Sequence, residues 1–153
     1  MIRKASVFAL QRPGTHELSA KQPKNQHTRI RSDHATEVAE DYVEAIAEIT
    51  SSTGACRAVD LATLFAVSHV TVNRTVGRLV RDGLAQTEPY QPIELTAKGK
   101  RLAKQSRERH QVVLQFLIAL GVSESTAVTD SEGIEHHVSA ETLDAMRSFL
   151  NEQ

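Results

Sequence analysis

Apolar residues fall into a helical rhythm from Thr36 onward. Val38, Tyr42, Ala45, Ile46 and Ile49 share one face of a first helix, which Gly54 stops. A short second helix is expected over about 59–66, burying Leu61, Ala62 and Phe65. Ser68 is placed to cap a third, whose inner face is Val72, Val76, Leu79 and Val80 and which ends at Gly83. The runs 84–87 and 93–96 flank Glu88-Pro89-Tyr90-Gln91-Pro92 and read as a small hairpin around a proline-marked turn. A long fourth helix starts at Ala97, with Thr96 as its cap, and runs to Gly121. Ser123 caps a fifth over about 124–137, and Ser139 a sixth with Leu143, Met146, Phe149 and Leu150 on its apolar side. The chain shows no internal repeat.

Before Thr36 this rhythm is missing. Residues 1–35 are polar, contain Pro13, Gly14 and Pro23, and set seven Lys and Arg against Glu17 and Asp33. A basic arm, disordered or loosely ordered, is expected there. The remaining sequence, among 153 residues in all, is long enough to bury a core. Aromatics at 4 % and the absence of Trp favour aliphatic helix packing. The single cysteine, Cys56, excludes an internal disulfide framework and a multi-cysteine zinc site, and is expected as a small, semi-buried apolar residue. No stretch approaches the roughly 18 apolar residues of a membrane span, and the N-terminus lacks the apolar core of a signal peptide. A soluble, cytoplasmic protein is expected. With a formal net charge of −1, nucleic-acid binding does not follow from composition, so it has to rest on local charge and motif.

Helix, short turn, helix and hairpin in that order make a winged helix-turn-helix. Small Ala62 and Ala66 let the two helices cross closely, and Val72 and Val76 pin the second onto the first. His69, Thr71, Asn73, Arg74, Gly77, Arg78 and Arg81 are left facing outward. Asn pairs bidentately with adenine, Arg with guanine, and Thr reaches base edges or phosphate. The candidate DNA-binding set is Ser68, His69, Thr71, Asn73, Arg74, Arg78 and Arg81. Outward Arg and Asn also occur on any solvated helix, so the combination of spacing, cationic face and following hairpin carries the reading. The hairpin itself holds no basic residue between its prolines, which shifts the expected phosphate contacts to the arm, Arg78 and Arg81.

A second constellation is acidic. Asp41 and Glu44 are i, i+3 on the polar side of the first helix, and His110 lies in the middle of the fourth. Glu132, Glu135 and His136 would bring two carboxylates and an imidazole to one face of the fifth. A solvated face ordinarily mixes in Lys or Arg, and 130–137 has none. Carboxylate oxygens with a minority of imidazole suit Mn²⁺ or Fe²⁺, and the lack of thiolate argues against a soft-metal site. Glu37, Glu48 and His137 are read as solvated neighbours.

From about Ala39 to Leu150 these residues resemble a family, the manganese transport regulators, a branch of the diphtheria-toxin-repressor superfamily of metal-dependent repressors. The resemblance rests on Asp41-Tyr42-Val43-Glu44, Val67-Ser68 with Thr71-Val72, Leu95-Thr96 before Lys98-Gly99, Arg107-Glu108-Arg109-His110, and Glu132-Gly133-Ile134-Glu135-His136-His137. It implies that Asp41, Glu44, His110, Glu132, Glu135 and His136 bind a pair of Mn²⁺ ions. The iron-responsive branch has Cys where Glu132 stands and Met where Asp41 stands. That branch often adds an SH3-like domain, for which the chain ends too early.

The expected architecture is mainly α: a winged helix-turn-helix DNA-binding domain over 36–96, then an all-helical dimerisation and metal-binding domain over 97–153. The expected function is that of a Mn²⁺-responsive repressor, a homodimer on double-stranded operator DNA, with no enzymatic activity. Val113, Leu117 and Leu120 are candidates for the dimer seam. The alternatives are an Fe²⁺- or Zn²⁺-responsive repressor of the same superfamily and, in a different class, a two-metal hydrolase, against which stands the absence of a protease-type His-Glu-x-x-His.

Overall fold

A computed structural model of the chain describes the backbone of residues 23–152, with side chains described from Asp33. It comprises helices α1 (Pro23–Thr53), α2 (Ala58–Leu64), α3 (His69–Arg81), α4 (Ala97–Ala119), α5 (Glu124–Ile134) and α6 (Ala140–Asn151). Strands β1 (Ala85–Gln86) and β2 (Glu94–Leu95) separate α3 from α4, and a 3-10 turn, Glu135–His137, joins α5 to α6.

The first helix departs from expectation. Residues 23–35, assigned above to a loosely ordered arm, are helical and continuous with the rest of α1. Pro23 suits the first turn of a helix, and no Gly or further Pro interrupts the polar run that follows it. Hydrophobic periodicity marks only helices that bury a face, and Asp33 to Thr36 are exposed. Residues 1–22 of the expected arm lie outside the described residues.

Beyond Glu37, α1 becomes a core element. Tyr42, Val43, Ala45 and Ile46 are buried together with Leu61 of α2, Val72, Val76 and Leu79 of α3, and Leu84, Ala85, Ile93 and Leu95 of the hairpin. Tyr42 stacks on Phe65 at 4.5 Å between ring centroids. Thr75, rather than Val80, completes the inner face of α3, since Val80 is exposed. Ser68 caps α3 by accepting the Thr71 N–H at 3.2 Å, and Ala66 in the left-handed region (φ 51°) turns the chain sharply before it. Cys56 belongs to the same core: burial, with the charge of Asp60, pushes its thiol up to about 11.

The hairpin pairs Ala85 with Leu95 and Gln86 with Glu94 in antiparallel register. Its base is widened by the segment before α2, where Ile93 N–H donates to the Cys56 carbonyl at 2.8 Å. Gly83 (φ 70°) ends α3, and Gly99 lets α4 start directly under the hairpin, because a Cβ there would lie 2.0 Å from the Leu84 carbonyl oxygen. Thr96 caps α4 through the Gly99 N–H and donates its hydroxyl to the Gly83 carbonyl at 2.7 Å.

Helix α4 is the spine against which α1, α5 and α6 all pack. Val113 and Ala127 are fully buried in this half, and Phe116 meets Phe149 edge-on at 5.4 Å. Val113 is thereby removed from the candidate dimer seam: it is consumed within the chain. Ile118, Leu120, Val128 and Ile134 are the large apolar residues that this half leaves exposed among the described residues. No helix is long and apolar enough to cross a membrane among the described residues.

Candidate metal centre and nucleic-acid interface

The acidic constellation assembles where α1 crosses α4 and the end of α5. An open groove of about 1190 Å³ is lined by Asp41 and Glu44 from α1, His110 from α4, and Glu132, Glu135 and His136 from the α5 end, with Glu37, Glu48, Arg107 and His137 at its margins. All six expected ligands therefore face one groove. Three of them, His110, Glu132 and Glu135, have donor atoms within 4.8 Å of one another.

The α5 terminus decides how these groups point. An unbroken helix through 137 was expected; instead α5 tightens into the 3-10 turn at Glu135. The tighter winding parts Glu135 from His136. Glu135, only 3 % exposed, turns its Oε2 to Nδ1 of His110 at 2.5 Å, while the exposed Glu132 stands 3.9 Å from the same nitrogen. His136 turns toward α1, with Nε2 3.3 Å from Asp41 Oδ1 and 3.6 Å from Glu135 Oε1.

The electrostatics are those of crowded anions. Burial raises the Asp41 carboxyl above its ordinary value; His136 opposes this, and the charges of Glu44, Glu132 and Glu40 add to it. Burial also raises Glu135, against the pull of His110 and His136 and with the push of Glu44. His136 is lowered by burial but raised on balance by its bond to Glu40 and by the charges of Asp41 and Glu135. A divalent cation answers this imbalance, and the donor set of carboxylates and imidazoles, without thiolate or lysine, fits a hard or borderline ion.

Two neighbours were not anticipated. Glu40, 6 % exposed, holds Nδ1 of His136 at 2.8 Å and Nη2 of Arg109 at 2.6 Å. Glu37, read from sequence as a solvated neighbour, lies 3.1 Å from Nε2 of His137 and 3.3 Å from Nδ1 of His34. Residues one or four positions from a ligand carry no distinguishing spacing of their own, which is why pattern alone passed over them.

The DNA-reading candidates lie on the far side of α3 from the core. Ser68, His69, Thr71, Asn73, Arg74, Arg78 and Arg81 are all exposed. A second groove, of about 540 Å³, runs between α3 and the hairpin, lined by His69, Asn73, Thr87, Tyr90, Gln91 and Arg57. Tyr90 forms the hairpin tip, 98 % exposed and in the left-handed region (φ 65°). Arg57, absent from the expected set, donates from Nη1 to the Tyr90 carbonyl at 3.4 Å and so places a cation beside a wing that has none of its own.

Two family models match the chain. Residues 34–93 match the iron dependent repressor N-terminal DNA binding domain, and residues 96–152 the iron dependent repressor metal binding and dimerisation domain. The transcriptional regulator MntR of Escherichia coli O157:H7 is 47 % identical over 121 residues, which are 79 % of this chain and 78 % of that protein. The chain belongs to the MntR branch of the iron-dependent repressor family. As a member it is a transcriptional regulator and not an enzyme, which sets aside the hydrolase alternative. The HTH-type regulator MntR of Bacillus subtilis (strain 168) is 38 % identical over 111 residues, 72 % of this chain and 78 % of that MntR. Among solved structures, the manganese regulator SloR aligns with a TM-score of 0.65 at 26 % identity, over 75 % of this chain and 54 % of that one. A manganese-dependent transcriptional repressor in complex with manganese aligns at 0.66 and 26 %, over 74 % and 52 %. The chain thus spans about half the length of these two solved proteins, and the mainly α winged-helix architecture is common to them.

Proposed function

We propose that the chain is a cytoplasmic, Mn²⁺-responsive repressor in which Asp41, Glu44, His110, Glu132, Glu135 and His136 hold up to two Mn²⁺ ions per subunit as corepressor. The observation that carries this reading is the groove itself, where α1 supplies two of the six donors and α4 with the α5 end the other four. When bound, Mn²⁺ supplies the positive charge that cancels the four convergent carboxylates.

The remaining steps belong to the protein. Without a cation the carboxylates of α1 and those of the α5 end repel across the groove. Asp41 and Glu44 ride on the helix that packs into the DNA-reading half, so drawing them toward His110 and Glu135 fixes the angle of that half against α4. In a two-fold dimer this angle sets the separation of the two α3 helices, which has to match operator half-sites about 34 Å apart, or a multiple of that. Asn73 and Arg74 then read bases, while Arg57, Arg78 and Arg81 engage phosphates. Metal acts as corepressor by selecting the geometry that fits DNA.

Similar solved structures named as a manganese regulator and a manganese-dependent repressor, and the hard oxygens of Asp41 and Glu132, favour Mn²⁺ over Fe²⁺ or Zn²⁺. The test is a parallel titration of the purified chain with Mn²⁺, Fe²⁺ and Zn²⁺, scoring bound metal per subunit and dimer content. Saturable Mn²⁺ binding that Asp41→Ala and Glu135→Ala abolish is expected; binding that survives both variants would place the site elsewhere.

A further inference from the structure

Glu40 is a carboxylate with no place in the ligand set, yet it is more deeply buried than its neighbour Asp41. Its Oε2 accepts from two groups at once, Nη2 of Arg109 on α4 at 2.6 Å and Nδ1 of His136 on the 3-10 turn at 2.8 Å. One residue of α1 thus ties together the two elements that α1 faces across the groove.

The chemistry of the imidazole makes this contact more than a buried ion pair. A neutral histidine carries one proton, on either nitrogen, and only the bare nitrogen can bind a cation. In free imidazole side chains the proton favours Nε2. In this protein Nε2 is the nitrogen that looks into the groove, 3.3 Å from Asp41 and 3.6 Å from Glu135. A proton there would block the position. Glu40, accepting from Nδ1, draws the proton to the opposite side of the ring and leaves the Nε2 lone pair facing the groove. Arg109 pairs with Glu40 and aims it.

We infer that Glu40 is a positioning residue: it fixes the tautomer and orientation of His136 for metal and holds α1 against α4. This rests on the reading of the groove as the Mn²⁺ site, and the experiment separates the two. The tautomer of His136 is read by long-range ¹H–¹⁵N correlation in the metal-free, full-length chain, at a pH where His136 is neutral. Mn²⁺ affinity is read separately, from the electron paramagnetic resonance of free Mn²⁺, for wild type, Glu40→Gln and Glu40→Ala.

Wild type is expected to carry its proton on Nδ1. Glu40→Ala is expected to move it to Nε2 and to weaken Mn²⁺ binding about 10–100-fold, the range for loss of a partner that orients a ligand. Glu40→Gln keeps an acceptor for the Nδ1 proton and should retain both the tautomer and most of the affinity. A purely structural role would lower the melting temperature of both variants and leave the tautomer unmoved. A wild-type proton on Nε2, or wild-type affinity in Glu40→Ala, overturns the inference. Should Glu40→Ala fail to fold, the wild-type tautomer and the affinity of Glu40→Gln still decide it. A wild type with the proton on Nδ1 that binds no Mn²⁺ would instead bring down the reading of the groove.

Discussion

Asp41 and His136 meet across the junction of the two halves of the chain, Oδ1 to Nε2 at 3.3 Å. One sits on the helix that enters the DNA-reading core, the other on the turn that ends α5. Whatever holds this pair together also holds the halves together, and we propose that this coupling underlies the metal response.

Metal choice should follow ligand softness. Glu132→Cys combined with Asp41→Met replaces two hard oxygens by sulfur and reduces the negative charge of the groove, which favours later, softer ions. Activation is expected to move from Mn²⁺ toward Fe²⁺ or Co²⁺ rather than vanish, since Glu135, His136 and His110 remain. Anaerobic titrations of DNA binding with each metal measure this. An unchanged metal ranking would place selectivity outside these two residues.

The raised protonation of the site has a definite sign. Asp41, Glu135 and His136 all sit above their ordinary values of 3.8, 4.5 and 6.5. In each case the metal-free fold holds its proton more tightly than the unfolded chain does. Their contribution to metal-free stability is therefore present below those ordinary values and is lost as pH rises through the folded ones. Cation binding runs the other way, because it requires the deprotonated groups. Melting of the metal-free chain should weaken on going from about pH 6 to about pH 8, while Mn²⁺ affinity rises over the same interval with proton release. Calorimetry in buffers of different ionisation enthalpy counts those protons; Mn²⁺ uptake without release would contradict the assignment.

On the DNA face, Asn73→Ala and Arg74→Ala should each cost about 1–3 kcal/mol on operator DNA and little on random sequence. Arg57→Ala, beside the wing tip, should weaken both alike and flatten the dependence of affinity on salt. Fluorescence anisotropy on the two DNAs at several salt concentrations distinguishes these cases. Equal losses on both DNAs for Arg74→Ala would make it a phosphate contact.

Gly99→Ala should destabilise the DNA-reading half, because its Cβ would lie 2.0 Å from the backbone oxygen of Leu84, which cannot swing aside as a side chain would. The expected loss is about 1–3 kcal/mol, the usual cost of overpacking, measured by urea unfolding of metal-free protein. A midpoint equal to that of wild type would show that the hairpin yields.

Legibility from sequence followed burial. Helices α3, α4 and α6 were readable because each turns an apolar stripe inward and begins at a capping serine or threonine, as with Ser68, and α2 because Leu61, Ala62 and Phe65 face the core. The extension of α1 back to Pro23 was not, since residues 23–35 carry no sustained hydrophobic period and Asp33 to Thr36 are exposed. Of the six proposed ligands, the cluster at 130–137 was legible as an acidic run without Lys or Arg, while the full set came with the family resemblance; all six line one groove. The break of α5 at Glu135 was not read, although Gly133 lies two residues before it; the bonds of Glu135 to His110 and of His136 to Glu40 accompany it. Glu40 and Arg57 were missed for a shared reason: each acts on a partner brought close only by tertiary packing, at separations of 96 residues for Glu40 with His136 and 33 for Arg57 with Tyr90.

The central claim is that metal at the α1–α4–α5 junction switches DNA affinity. Its most direct measurement is the dissociation constant of the full-length chain for operator DNA, selected by the chain from a random library, in Mn²⁺ and in chelator at one salt concentration. Tighter binding by about 5–150-fold in Mn²⁺, the usual range of coupling between two sites, is predicted, and its loss in Asp41→Ala. Equal affinity with Mn²⁺ and with chelator would contradict the account.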